Sequence, residues 1–438
     1  MRRRRRVFLP LALAALALAG CEAKRDRRPD VLFVIADDLS CRIGLYGEGA
    51  RTPNLERLAR RGRRFDRAYC QYPLCSPSRT SLFTGWRPEK TQVWGNLRPP
   101  RELVKDAVPL QEHFEAQGYF TARVGKVYHS RFEDEFRWNE VVDTYDTAPP
   151  EEGPGPEWGP SKRPEEEEPD GRAAHKAVEL LEARREKPLF LAVGFLKPHD
   201  PWIVPEKYLA MYPPESVVLP ERAPDEQVLG ARLGAPMPIA AAQERTALAA
   251  YYASATFMDA QLGLILDALD RRNLWDSTVV VFIGDNGMHV GEHGLFGKMT
   301  LFEASARVPM VIATPGMAKA GEPTDRLAEL VDLYPTLVEL CRLTKVAGLD
   351  GASLVPLLRD PKAAGKDAAY TMRKVGATKR GLFAQSVRTD RYRYTEYPGD
   401  VPELYDEQQD PREARNLFAE PSSQPIVIQM KALLDRRR

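Results

Sequence analysis

The chain has 438 residues, 43% hydrophobic and 29% charged, with 63 Lys and Arg against 62 Asp and Glu. That length can bury a large core and suits one big domain with a smaller companion. The balanced charge argues against a nucleic-acid-binding protein, and five cysteines are too few for a disulfide scaffold.

Five of the arginines, Arg2–Arg6, head an apolar run from Val7 to Ala19 that is short for a bilayer span and reads as an export signal, residues 1–20. Without those residues the chain carries 58 basic against 62 acidic side chains. The run ends in Leu18-Ala19-Gly20-Cys21, which resembles the lipobox of bacterial lipoproteins. Cys21 is then the lipidated first residue, residues 21–28 form a polar tether, and the protein is held at a periplasmic or cell-surface membrane. The competing reading is an ordinary cleaved signal with an incidental Cys21.

Asp30–Ala36 is a continuous apolar run, the pattern of a central strand buried on both faces. Pro188–Phe195, Ser277–Ile283 and Val308–Ala313 repeat it. Helical patterns intervene at Leu110–Gln117, Arg172–Arg185 and Gln243–Arg271. The alternation predicts an α/β fold, a mostly parallel sheet flanked by helices. Ala148–Gly171, rich in Pro, Gly and Glu, reads as a surface loop, with Glu165–Glu168 a solvated face. Leu327–Leu343 reads as an amphipathic helix with Glu329 and Asp332 facing solvent. The large domain spans residues 29–365. Strand-like Leu382–Arg388 and Tyr392–Tyr397, then a helical tail, make residues 366–438 a smaller α+β subdomain.

Chemistry gathers at the strand ends. The first strand runs into Asp37-Asp38 and the third into Asp285-Asn286, where ligands of open α/β sheets bind. Either pair alone could be a turn. Together they offer four oxygen-bearing side chains without thiolate or imidazole, a set that favours calcium or magnesium over zinc.

Cys75-Ser-Pro-Ser-Arg79, followed by Thr80-Ser-Leu-Phe-Thr-Gly85, closely resembles the C-x-P-S-R signature of the sulfatase family with its trailing T-G. The resemblance runs from about residue 29 to 438. It implies an alkaline-phosphatase-like fold and conversion of Cys75 to formylglycine by a maturation enzyme. One calcium ion is implied on Asp37, Asp38, Asp285, Asn286 and the modified residue 75. Gly125-Lys126-Val-Tyr-His129, Lys197-Pro-His199 and Gly291–Lys298 resemble family segments that contact sulfate and leaving group, so Arg79, Lys126, His129, His199 and Lys298 are implied catalytic residues. With Cys21 and Cys75 so assigned, Cys41, Cys70 and Cys341 allow at most one disulfide.

The implied reaction is sulfate-ester hydrolysis on an O-sulfated saccharide. The hydrated aldehyde carries two hydroxyls on one carbon, one to attack sulfur and one to expel sulfate. Gly85-Trp-Arg-Pro88, Gly125–His129 and Lys197–His199 look most like iduronate-2-sulfatases and their bacterial relatives. Those enzymes tend to carry His where this chain has Asn286. The alternatives are a phosphonate or phosphate ester hydrolase of the same superfamily, and an unmatured lipoprotein that only binds sulfated glycans.

Overall fold

The computed structural model describes residues 28–47, 49–129, 132, 135–145, 157–183, 185–222, 235–376 and 382–437. The export signal and Cys21 lie outside them. Eight strands form the large sheet: β1 (Asp30–Asp37), β2 (Arg63–Tyr69), β3 (Phe120–Gly125), β4 (Glu140–Val142), β5 (Leu189–Pro198), β6 (Thr278–Gly284), β7 (Arg307–Ala313) and β8 (Thr324–Glu329). Their spatial order is β8-β2-β7-β6-β1-β5-β3-β4. Only β7 is antiparallel, so the sheet is mostly parallel as expected.

Strand β1 is central because both of its faces are apolar. Leu32, Val34 and Ala36 enter one core and Val31, Phe33 and Ile35 the other, the period-two alternation of a pleated strand. Helices α1 (Pro53–Arg61), α2 (Cys75–Thr84), α3 (Leu110–Ala116), α4 (Pro169–Glu182), α5 (Glu244–Arg271) and α6 (Leu333–Leu340) accompany the sheet. The first core takes Leu248, Tyr251 and Leu262 of α5, and the second takes Phe83 of α2, Phe114 of α3 and Leu337 of α6. Each such fully buried side chain stabilises the layer stack by about 1.5–3 kcal/mol.

A second, antiparallel sheet follows: β9 (Ala369–Val375), β10 (Leu382–Arg388), β11 (Tyr392–Glu396) and β12 (Glu403–Asp406). Helix α7 (Gln424–Asp435) covers it through Val427, Met430 and Leu434. Strand β9 docks on the chain just before Cys75: Met372 N–H donates to Gln71 O (3.0 Å) and the Thr371 hydroxyl to Cys70 O (2.8 Å).

Three expectations are corrected. Leu327–Leu343 is not one helix: its first residues pair with β2 as strand β8, and the helix begins only at Leu333. Glu329 and Asp332 are buried rather than solvent-facing. Glu329 pairs with Arg87, and both carboxylates bind Lys366. A helical period cannot reveal partners that far away in sequence. Second, Ala148–Gly171 is not simply a loop over its described residues, 157–171. Trp158–Pro160 pairs with Trp202–Val204, and α4 starts at Pro169. Third, Glu165–Glu168 is not simply solvated. Glu168 is buried against the Ser161 hydroxyl, while Glu165 binds Lys207, Tyr208 and Gln261. Among the described residues, Cys41, Cys70, Cys75 and Cys341 form no disulfide with one another.

Candidate active site

Strand β1 ends in Asp37, and Asp38 then turns the chain with a left-handed φ of 58°, a conformation that Asp tolerates better than most residues. Strand β6 ends beside it, so Asp285 and Asn286 meet the first pair. The Asp38 amide donates to Asp285 Oδ1 at 3.0 Å and Asn286 Nδ2 to Asp38 Oδ1 at 2.7 Å. All four residues are fully buried.

Cys75 is the first residue of α2. Pro77 is tolerated in that first turn, where amides lack intrahelical partners, and Gly85 closes the helix at φ 65°. The buried Thr80 and Thr84 hydroxyls bond back to carbonyls one turn earlier, each at 2.7 Å. The orphan amides and helix dipole make this N-terminus favourable for an anion. Arg79 lies one turn after Cys75, on the same face. Its Nε donates to Asp285 Oδ2 at 2.7 Å and Nη2 to Asp37 Oδ1 at 3.2 Å, and Nη1 reaches the carbonyls of Lys126 and Val127.

Lys126 follows β3 and pairs with Asp37. A side chain at Gly194 would lie 1.8 Å from the Lys126 carbonyl oxygen, so glycine is what lets Lys126 approach β5. Lys298 comes from the other side, its Nζ 2.7 Å from Asp38 Oδ2 and 3.2 Å from Cys75 Sγ. The Cys75 thiol donates to Asp37 Oδ1 at 3.2 Å. Three buried carboxylates thus face three cations. Burial favours a neutral Asp37, yet Lys126, His199, Arg79 and Lys298 hold its carboxyl well below the usual range. Burial, helped by Asp37, pushes the Cys75 thiol well above its ordinary value, so this thiol is a poor nucleophile as it stands.

His199 sits at the mouth, 28% exposed, with Nε2 3.6 Å from Asp38 Oδ2. Its Nδ1 donates to the Asp200 carbonyl at 2.7 Å, so Nε2 is the nitrogen turned to the site. His129 is the outlier. Its buried Nδ1 has no partner among the described residues, and burial, reinforced by Lys126, pushes its pKa down to about 3. It is a neutral ring near the cations and makes no hydrogen bond to the other named groups.

The residues present fit a hard cation. Asp37, Asp38 and Asp285 each place a carboxylate oxygen within 4.8 Å of the others. Asn286 Oδ1 is buried without a hydrogen-bond partner, and turning that amide over would add a fourth oxygen. Cys75 also lies within that spacing of Asp37 and His199.

Two supporting residues escaped the sequence reading. Both Asp170 oxygens accept backbone amides, from Leu196 (2.7 Å) and Lys197 (3.0 Å), fixing the turn that leads to His199. The Asn96 side chain accepts the Ser76 amide at 3.1 Å. Their only sequence signal was polarity, in the first turn of α4 for Asp170 and in a loop for Asn96, which many solvent-facing residues share.

The sulfatase family model matches residues 29–343, and a model described as N-sulphoglucosamine sulphohydrolase, C-terminal, matches residues 291–438. A protein named sulfatase from Formosa agariphila is 30% identical, over 98% of this chain and 92% of its own length. Human iduronate 2-sulfatase is 30% identical over 77% of this chain and 74% of its own. Among solved structures, a phosphonate monoester hydrolase of Agrobacterium radiobacter superposes with a TM-score of 0.83, at 24% identity, over 94% of this chain and 95% of the other.

Proposed function

The chain belongs to the sulfatase family and is a sulfuric ester hydrolase; we propose that it desulfates an O-sulfated, uronate-bearing saccharide through formylglycine at position 75 and one bound calcium. The observation that carries the reading is Cys75 at a helix N-terminus, between Lys298 and the buried oxygens of Asp37 and Asp38. The matured residue supplies two hydroxyls on one carbon, and calcium supplies charge against the sulfuryl oxygens. Asp37, Asp38, Asp285 and Asn286 would hold the ion.

The chain's own residues account for the rest. Arg79 keeps Asp37 and Asp285 in place and cannot lose its proton. Lys126 and Lys298 are fixed cations beside residue 75, able to offset charge on a sulfuryl group without reorganising. His199, at the mouth, would protonate the departing sugar oxygen through Nε2. His129, neutral and unpartnered at Nδ1, would offer that nitrogen to a sulfate oxygen or a hydroxyl.

The uronate assignment rests on likeness to iduronate 2-sulfatase. Phosphonate monoesters are the second reading, because the fold is shared with a hydrolase of that class. Parallel rates on sulfate and phosphonate esters separate the two. The Leu18–Cys21 motif further supports a lipid-anchored, exported protein, and Cys21→Ser should block processing or release it from membranes. Protein that is already soluble without detergent would contradict the anchor.

The central test is the mass of the peptide carrying position 75. Active protein should show sulfur replaced by oxygen with two hydrogens lost. Cys75→Ala should fold, bind calcium and turn nothing over. Full-rate turnover by protein with an unmodified thiol would overturn the reading.

A further inference from the structure

A cavity of about 580 Å3 lies on the flank of the large sheet, lined by the Ser40–Arg42 turn, Tyr46, Arg64, Arg307 and the Pro411–Ala414 loop of the C-terminal subdomain. None of Asp37, Asp38, Cys75, Lys126, His199 or Lys298 lines it. Its size falls within the range of small-ligand sites, about 300–1,000 Å3.

Most charges on its wall are matched. Arg64 pairs with Asp66 at 2.7 Å, Arg412 with Glu221 at 2.6 Å, and Arg42 with Glu292 at 3.5 Å. Glu413 pairs with Arg393 at 2.7 Å. Glu303 gives its Oε1 to both Arg388 and Arg393. Arg307 differs. Its side chain makes no hydrogen bond or close ion pair among the described residues, with Cys41 and Glu303 acting on it only through space, and its Nε is buried without a partner. Its guanidinium lies over the Tyr46 ring at 5.1 Å, with Arg64 over the same ring at 5.4 Å. Arg307 as a whole is only partly buried and lines the cavity, and the planar fork of a guanidinium with no hydrogen-bonded counter-charge suits a two-oxygen anion.

We propose that this cavity is a second oxyanion site, anchored by Arg307, for a carboxylate- or sulfate-bearing ligand of about monosaccharide size. Inorganic sulfate would satisfy the guanidinium but leave most of the space to water, whereas an acidic sugar would fill it. The site shares no residue with the catalytic cluster and does not depend on maturation of Cys75.

Crystals of the full mature chain soaked separately in selenate and in D-glucuronate test this, with glucuronate titrations of the wild type, Arg307→Gln and Ala304→Trp. Ala304 lines the cavity, so Ala304→Trp fills it while keeping Arg307. An oxyanion on Arg307 is expected, with glucuronate affinity at least tenfold weaker in both variants and aryl-sulfate turnover by Ala304→Trp within twofold of wild type. Selenate on Arg307 identifies an inorganic anion as sufficient, and glucuronate alone identifies an acidic sugar. Absence of both from Arg307, or unchanged affinity in Ala304→Trp, overturns the proposal.

Discussion

His199 illustrates how much one hydrogen bond decides. The Asp200 carbonyl can only accept, so it fixes the proton on Nδ1, and Nε2 can donate to a leaving group only from the imidazolium. Acid catalysis matters most for poor leaving groups. His199→Ala should therefore slow alkyl-sugar sulfates by about 10²–10⁴-fold, and aryl sulfates with acidic phenols by less than about tenfold. Equal losses in kcat/KM on both substrate types would assign His199 to binding instead. At the nucleophile, the buried thiol and the two-hydroxyl requirement point the same way. Cys75→Ser has one hydroxyl, so it should at most attack once and accumulate a serine bearing a sulfo group, seen as an increase in protein mass.

Among the elements, the junction of β8 and α6 shows how a buried charge is tolerated. Glu329 is 1% exposed. It accepts from Arg87, from Lys366 and from the Tyr370 amide of β9 at 2.9 Å, tying the second sheet to the first. Burial alone would raise its pKa, but Arg87 and Lys366 hold it well below the carboxylate range. Its charge therefore stabilises the fold above an ordinary carboxylate pKa of about 4.3, and that stability is lost as pH falls through the depressed value. Glu329→Gln should cost about 3–5 kcal/mol at pH 7 by leaving Arg87 short of a counter-charge. In denaturant titrations the gap from wild type should narrow below about pH 4. A gap that stays constant down to pH 3 would show that packing, not charge, holds the junction.

Across the whole molecule, the two sheets and the cation cluster are expected to unfold as one unit. Arg393, 1% exposed, pairs with Glu303 of the large domain and with Glu407 and Glu413 beyond β12. Arg393→Leu should destabilise by about 3–5 kcal/mol while leaving one thermal transition. Two separate transitions in calorimetry would mean that the subdomains are energetically independent. Calcium should act on the same transition. At a hundredfold excess over its Kd it adds about 2.7 kcal/mol, raising Tm by about 3–5 °C, and chelation should reverse that shift and abolish activity. An unchanged Tm with full activity in metal-stripped protein would count against the proposed cation.

What the sequence by itself determined was whatever is written in consecutive residues. The apolar runs marked β1, β5, β6 and β7, because a strand buried on both faces has no polar alternation to hide it. The Cys75–Arg79 motif and the two acidic strand ends named most of the site, since four-residue helical spacing and strand termini are local facts. Only the tertiary structure decided that β7 is antiparallel and that Glu329 and Asp332 turn inward. It alone placed Asp170 under the His199 turn and left Arg307 facing a cavity. Each of these depends on a partner far away in the chain, and a polar residue looks the same in sequence whether that partner is water or a buried charge.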